Sequence, residues 1–144
     1  QAPRVRATSN GLFLPVGGSP QEPLGQRIIE MPEQPESTEL ARDPRSGFVA
    51  YVPIGSIAKG EALVTTGGDG RTTRCTLCHG ADLKGTAMVP GIAGRSPSYI
   101  VRQLHDMQHG TRQTKTMKAA VAKLTVEDIV NITAYVSSRD IQPR

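Results

Sequence analysis

Apolar residues recur at helical spacing only in the second part of the chain. Ile100, Leu104 and Met107, with Val101 beside them, predict a helix capped by Ser96. Pro97 takes its first position, and it runs to about His109 and stops at Gly110. A second stripe, Val126, Ile129, Val130, Thr133 and Val136, predicts a last helix ending near Ser138. Its start carries a capping-box pattern, Thr125-Val-Glu-Asp128. Upstream, Ser56 is a candidate N-cap for a short helix over Ile57 to Thr66, stopped by Gly67-Gly68. A fourth short helix, ended around Gly80, is expected before a turn-rich loop, Ala81 to Gly94. A polar loop, Gly110 to Thr116, leads to Met117. No strand signal competes in residues 56–138, so the predicted class is all-α.

The first fifty residues read differently. They hold seven of the 11 prolines, the pair Gly17-Gly18 and an acidic run from Glu30 to Glu39. No helical or strand period survives there, which predicts a long extended arm over residues 1–50, ahead of a domain over 51–144. Apolar spots at Leu12-Phe13-Leu14, Ile28-Ile29 and Phe48-Val49 imply that parts of the arm pack. Charge divides the same way. Residues 1–70 carry six Lys/Arg against eight Asp/Glu, and residues 71–144 carry eleven against five. The basic excess therefore lies wholly in the second part.

The chemistry is concentrated in Cys75-Thr76-Leu77-Cys78-His79, a Cys-x-x-Cys-His pentapeptide. This spacing is the attachment signature for c-type haem. Two thiols two residues apart can each add to one vinyl group as a thioether, and the following His can place its imidazole on the iron. The chain has 2 cysteines, so one haem accounts for every thiol. Two other readings stay open at this level. A redox dithiol has no need of His79 and usually sits in a βαβ setting, which the pattern lacks. A Cys₂His₂ zinc site could recruit His105 and His109, a helical i, i+4 pair, but leaves His79 without a purpose.

Composition fits a haem. Aromatics are only 3% of the 144 residues, with Trp 0, so large core residues are scarce. An apolar macrocycle would correct the deficit, and the apoprotein is expected to be largely unfolded. No apolar run reaches the ~18–20 residues of a membrane span. The chain begins at Gln1 rather than Met, as expected of a mature chain whose export signal has been removed. The expected compartment is the bacterial periplasm.

These parts resemble a class I c-type cytochrome over residues 56–138. The resemblance rests on a Gly-bearing first helix, Cys-x-x-Cys-His-Gly80, a Pro about a dozen residues on, a Met-bearing loop and a last helix with an aromatic. More specifically, Tyr51-Val-Pro-Ile-Gly-Ser-Ile-Ala-Lys-Gly60, Val89-Pro-Gly-Ile-Ala-Gly-Arg-Ser-Pro-Ser-Tyr99 and Arg102-Gln-Leu104 are similar to haem domains of bacterial periplasmic cytochromes. Some of those are cytochrome subunits of dehydrogenases. Many carry two or three haems, whereas one motif here implies one.

The resemblance implies roles. Cys75 and Cys78 would hold the haem and His79 would be the proximal ligand. Pro90 would offer its carbonyl to the imidazole N–H, fixing the ring and raising its basicity. Gly60 would sit where the first and last helices cross, packed by Tyr135, with Val64 where many relatives have an aromatic. Four methionines compete for the sixth position. Met31 lies in the arm, Met107 on a helix stripe, and Met88 only nine residues after His79. Met117 follows a loop able to cross the haem and matches the family's ligand position; His105, His109 or a vacant site are the alternatives. Arg95 and Arg112 are candidate propionate partners, and Tyr99 a candidate haem contact.

The function implied is one-electron transfer between protein partners, a donor dehydrogenase or cytochrome and an acceptor oxidase or cytochrome. Lys84, Arg95, Arg102, Arg112, Lys115, Lys118 and Lys123 could form a positive rim that steers an acidic partner, or a merely solvated face. The alternatives are a haem enzyme or gas sensor with an open sixth site, and a subunit docked into a dehydrogenase or oxidase complex. Sparse aromatics argue against a single-strand nucleic-acid platform. No second catalytic constellation appears, so an enzyme is not expected.

Overall fold

The computed structural model describes residues 1–9, 11–18, 21–39 and 47–139. Parts of the expected arm, notably residues 40–46, and the tail 140–144 lie outside the described residues. The chain divides into two compact units, Gln1–Pro53 and Ile54–Arg144.

The first unit corrects the expectation of an irregular arm. Strands β1 (Val5–Ala7) and β2 (Phe13–Pro15) pair antiparallel, with Arg6 opposite Leu14. Strands β3 (Ile29–Pro32) and β4 (Phe48–Tyr51) pair antiparallel, with Met31 opposite Val49. A short helix, α1 (Pro35–Glu39), follows β3. Ala2, Leu24, Ile29 and Met31 form a buried cluster, with Val5 and Tyr51 packed against it. Of the apolar spots, Leu14 and Ile29 are buried, whereas Phe13, Phe48 and Val49 are exposed. Strands of three or four residues are too short for a period of two to stand out.

The second unit is helical: α2 (Ser56–Thr66), α3 (Thr76–His79), α4 (Pro97–His109), α5 (Lys115–Val121) and α6 (Val126–Ser137). Its main packing is α2 across α6, with α4 on α6 and α5 on α4. The crossing depends on Gly60: a Cβ there would stand 1.9 Å from the Asn131 carbonyl oxygen and 2.8 Å from Tyr135 Cβ. The core comprises Leu63, Val64, Leu83, Ile100, Met107, Val121, Leu124, Ile129, Ile132, Tyr135 and Val136, with Ala93 beside them. Burying each large aliphatic side chain contributes about 1.5–3 kcal/mol.

Helix ends follow the sequence signals closely. Thr125 accepts from the Asp128 amide at 3.1 Å, and Asp128 accepts from the Thr125 amide at 3.0 Å, completing the capping box. Gly67 and Gly110 end α2 and α4 in the left-handed region, at φ 83° and 81°. Three expectations need correcting. Ser56 is not a cap but the first helical residue, after Gly55 at φ 81°, and its buried hydroxyl has no hydrogen-bond partner among the described residues. Val126, the first residue of α6, is 70% exposed and lies outside the buried stretch from Asp128 to Val136. The loop to Met117 is shorter than expected: Lys115–Val121 is helical, in a run of helix formers too brief to show a period.

Candidate functional site

Helix α3 is a single turn built around the motif. The His79 amide donates to the Cys75 carbonyl at 3.0 Å and the Cys78 amide to the same oxygen at 3.3 Å. Cys75 and Cys78 are three apart on that turn and so share a face. Both thiols are free; Cys75 is half-buried and Cys78 exposed. Burial pushes the Cys75 thiol up to about 11, so as a free thiol it stays protonated at neutral pH. As a thioether, neither sulfur would titrate.

His79 is buried, and its Nδ1 lies 2.7 Å from the Pro90 carbonyl oxygen. A carbonyl only accepts, so Nδ1 carries the proton and donates it. The lone pair of the neutral ring is then on Nε2, the atom available to a metal. The loop from Ala81 to Gly94 folds back on itself to deliver that carbonyl. The Gly85 amide donates to the His79 carbonyl at 2.8 Å, and the Ile92 and Ala93 amides donate to the Leu83 carbonyl at 2.8 and 3.0 Å. Gly85, at φ +86°, passes so close to Gly91 that a Cβ on it would meet the Gly91 nitrogen at 2.4 Å. At the loop's end the Gly94 amide donates to the Val136 carbonyl at 2.9 Å, tying it to α6. Leu83, 1% exposed at φ 60°, anchors the loop in the core. Sequence reasoning missed Leu83, because one apolar residue in a turn-rich stretch carries no pattern.

The four methionines separate by environment. Met31 is buried in the first unit's cluster, and Met107 is buried in the helical core. Met88 is 91% exposed. Met117 is half-buried against the helical core, alongside Cys75, Ile92, Val101 and Leu104. Each of these apolar side chains keeps part of its surface open. The Thr72 hydroxyl donates to the Ala120 carbonyl at 2.7 Å, linking the segment before the motif to α5. Gln108 donates to the carbonyls of Val121 and Leu124 at 2.9 and 2.7 Å, linking α4 to the same helix. Both links hold the helix that bears Met117. Neither was legible in the sequence, since polar residues in a loop and on a helix flank are unremarkable.

His105 and His109 are exposed on α4. Among the described residues no three His, Cys, Asp or Glu side chains come together, so Cys75, Cys78, His105 and His109 are not gathered into a Cys₂His₂ set. Arg95 donates to the Gly91 carbonyl at 2.8 Å and lies 5.7 Å from the centre of the Tyr99 ring. Arg112 donates to the Gln103 side chain. Arg112, Lys115 and Lys118 line an open cleft of about 300 Å³ with Gly110, Gln113 and Thr114. The residues of the motif therefore fit haem c: two free thiols on one turn and an imidazole whose Nδ1 is held by a carbonyl, leaving Nε2 for a metal.

No family model matches the chain. Cytochrome c4 of Pseudomonas aeruginosa is 33% identical over 73 residues, 50% of this chain and 36% of that protein. The cytochrome subunit of sulfide dehydrogenase of Chlorobaculum tepidum is 30% identical over 102 residues, 61% of this chain and 92% of that protein. Among solved structures, cytochrome c4 of Acidithiobacillus ferrooxidans matches with a TM-score of 0.57 at 30% identity, over 61% of this chain and 51% of that one. The chain thus spans from about a third to somewhat under two thirds of the cytochrome c4 relatives it matches and nearly all of the sulfide dehydrogenase subunit. It has the class I cytochrome fold, and it belongs to the c-type cytochromes.

Proposed function

We propose that this protein carries one electron at a time on a single haem c, attached through Cys75 and Cys78 and ligated by His79 and Met117. The observation that carries the reading is the 2.7 Å hydrogen bond from His79 Nδ1 to the Pro90 carbonyl. It leaves Nε2 as the ligand atom and holds the ring against rotation. When bound, haem c supplies an iron centre that gains and loses a single electron. Met117 is the proposed sixth ligand, a choice supported by the burial of Met31 and Met107 in packed clusters and by the exposure of Met88. A thioether there raises the potential relative to a second imidazole. With His79 and Met117 both holding the iron, O₂ and peroxide would be kept from it, which suits a carrier rather than a catalyst. Arg95, Arg112 and Tyr99 stand as candidate haem contacts, with guanidinium N–H groups beyond those already donated.

The partners are redox proteins of the periplasm, a donor dehydrogenase or cytochrome and an acceptor oxidase or cytochrome. The cationic cleft of Arg112, Lys115 and Lys118 favours an acidic partner surface and a salt-dependent encounter rate. A second reading, a cytochrome subunit held within a dehydrogenase complex, is favoured by the similarity to a sulfide dehydrogenase subunit. It differs in permanence of docking, not in the chemistry of the site. No helix among the described residues is long and apolar enough to cross a membrane.

The test is an optical spectrum of the purified holoprotein, oxidised and reduced. A weak near-infrared band from a sulfur–iron bond is expected, lost in Met117→Ala and kept in Met88→Ala. Ferrous CO binding should be poor in the parent protein and ready in Met117→Ala. A high-spin parent spectrum, or a band that survives Met117→Ala, removes Met117 as ligand.

A further inference from the structure

We propose that His105 and His109 form a two-imidazole chelate for a divalent transition-metal ion on the surface of α4, separate from the haem site. The residues are four apart on one helix, which stacks their side chains on the same face. Their ring centroids are 4.1 Å apart and their planes 20° from parallel. Both are exposed, and neither belongs to the helical core. His105 Nδ1 lies 3.3 Å from Asp106 Oδ1, and His109 Nδ1 lies 2.9 Å from the His105 carbonyl oxygen. A carboxylate and a carbonyl accept, so both Nδ1 atoms carry the proton. In each neutral ring the lone pair is on Nε2. An acceptor on the far nitrogen is the arrangement metal-binding histidines use, because it fixes the tautomer and raises ligand basicity.

Chelation asks the two side chains to turn. Two metal–nitrogen bonds of ~2.0–2.1 Å at right angles place the nitrogens about 3 Å apart, with the ion in the plane of each ring. The rings stack with centroids 4.1 Å apart and planes 20° from parallel, so they must splay to converge on one ion, a rotation open to exposed side chains. His109 is the last residue of α4, where the negative pole of the helix favours a cation. Asp106 adds a favourable charge. Lys118, whose Nζ lies 3.5 Å from where a Cβ on Gly110 would stand, opposes it, as does Arg112, whose amide donates to the Asp106 carbonyl at 3.1 Å. These exposed charges are screened by solvent and salt, whereas the two coordinate bonds are not. With no third protein ligand among the described residues, water completes the shell. Such a set selects Cu²⁺ over Ni²⁺ and Zn²⁺ and neglects Mg²⁺ and Ca²⁺, which take oxygen ligands.

The experiment titrates Cu²⁺, then Zn²⁺, into the haem-loaded protein by calorimetry, with electron paramagnetic resonance of the copper complex. One ion per chain is expected, with copper splittings from two nitrogens and Cu²⁺ tighter than Zn²⁺. His105→Gln and His109→Gln should each weaken binding at least tenfold. Asp106→Asn should weaken it about tenfold, as loss of an outer-sphere partner does. The haem absorption should stay unchanged throughout, which separates this site from His79 and Met117. Absence of binding to the parent protein, or unchanged affinity in the double variant H105Q/H109Q, would overturn the proposal.

Discussion

At Gly60 there is no room for a methyl group, since a Cβ would stand 1.9 Å from the Asn131 carbonyl oxygen. Backbone, not a flexible side chain, is the obstacle, so α2 and α6 would have to separate. Gly60→Ala is expected to cost about 3 kcal/mol, the upper part of the overpacking range, read as a lower midpoint in denaturant with an unchanged slope. Glu127 shows the opposite extreme. It is exposed and held below its ordinary value of 4.5, first by the hydrogen bond from Lys59 and then by that residue's charge. Lys59 Nζ lies 3.0 Å from Glu127 Oε1. A depressed carboxyl stabilises the fold above its ordinary value, and that contribution is lost as pH falls through the folded one. Glu127→Gln should therefore lower the melting temperature slightly at pH 7 and not at all in strong acid, when melts of both proteins are compared.

Helix α6 is buried on nearly all sides from Asp128 to Val136. A stripe read from spacing alone assigns Val126 and Ile129 the same role, yet Val126 is 70% exposed and Ile129 5%. Val126→Ser should change stability by less than about 0.5 kcal/mol, whereas Ile132→Ala, at 3% exposure, should cost about 2–4 kcal/mol. Equal losses in chemical denaturation would contradict this orientation of α6. The loop between α3 and α4 is the other element that decides function. Gly85→Ala forces a Cβ against the Gly91 nitrogen and strains a φ of +86°. It should displace the Pro90 carbonyl, weaken the fixation of His79 and alter the reduction potential, measured by redox titration.

The whole molecule joins two compact units, and the proposed division of labour is that residues from Ile54 onward hold the haem. A chain truncated to residues 54–144 should keep the absorption spectrum of the full protein. Changed axial ligation on truncation would give the first unit a part in the site. The helical unit leaves Cys75, Ile92, Val101, Leu104 and Met117 half-buried. Without the macrocycle these stay wet, so a double variant Cys75→Ala, Cys78→Ala, which cannot attach haem, should lose most of its far-ultraviolet helical signal.

The sequence by itself determined the covalent motif, the limits of α2, α4 and α6 to within about a residue, and the competing ligands, but not α5. Those are local properties: thiol spacing, capping chemistry, glycines at helix ends and stripes of three or four apolar residues. It also singled out Pro90 and Gly60, through the family resemblance. Only the tertiary structure decided that the Pro90 carbonyl stands 2.7 Å from His79 Nδ1, because eleven residues of loop had to fold back through Leu83, Gly85 and Gly91. The sequence already set Met117 apart from Met88 by its distance from His79, and the fold adds what packs around each: Met117 is half-buried against the core and Met88 is exposed. The strands of the first unit were likewise decided in three dimensions. Their pairing joins residues as far apart as Ile29 and Tyr51, and three-residue strands carry no period for a sequence to display.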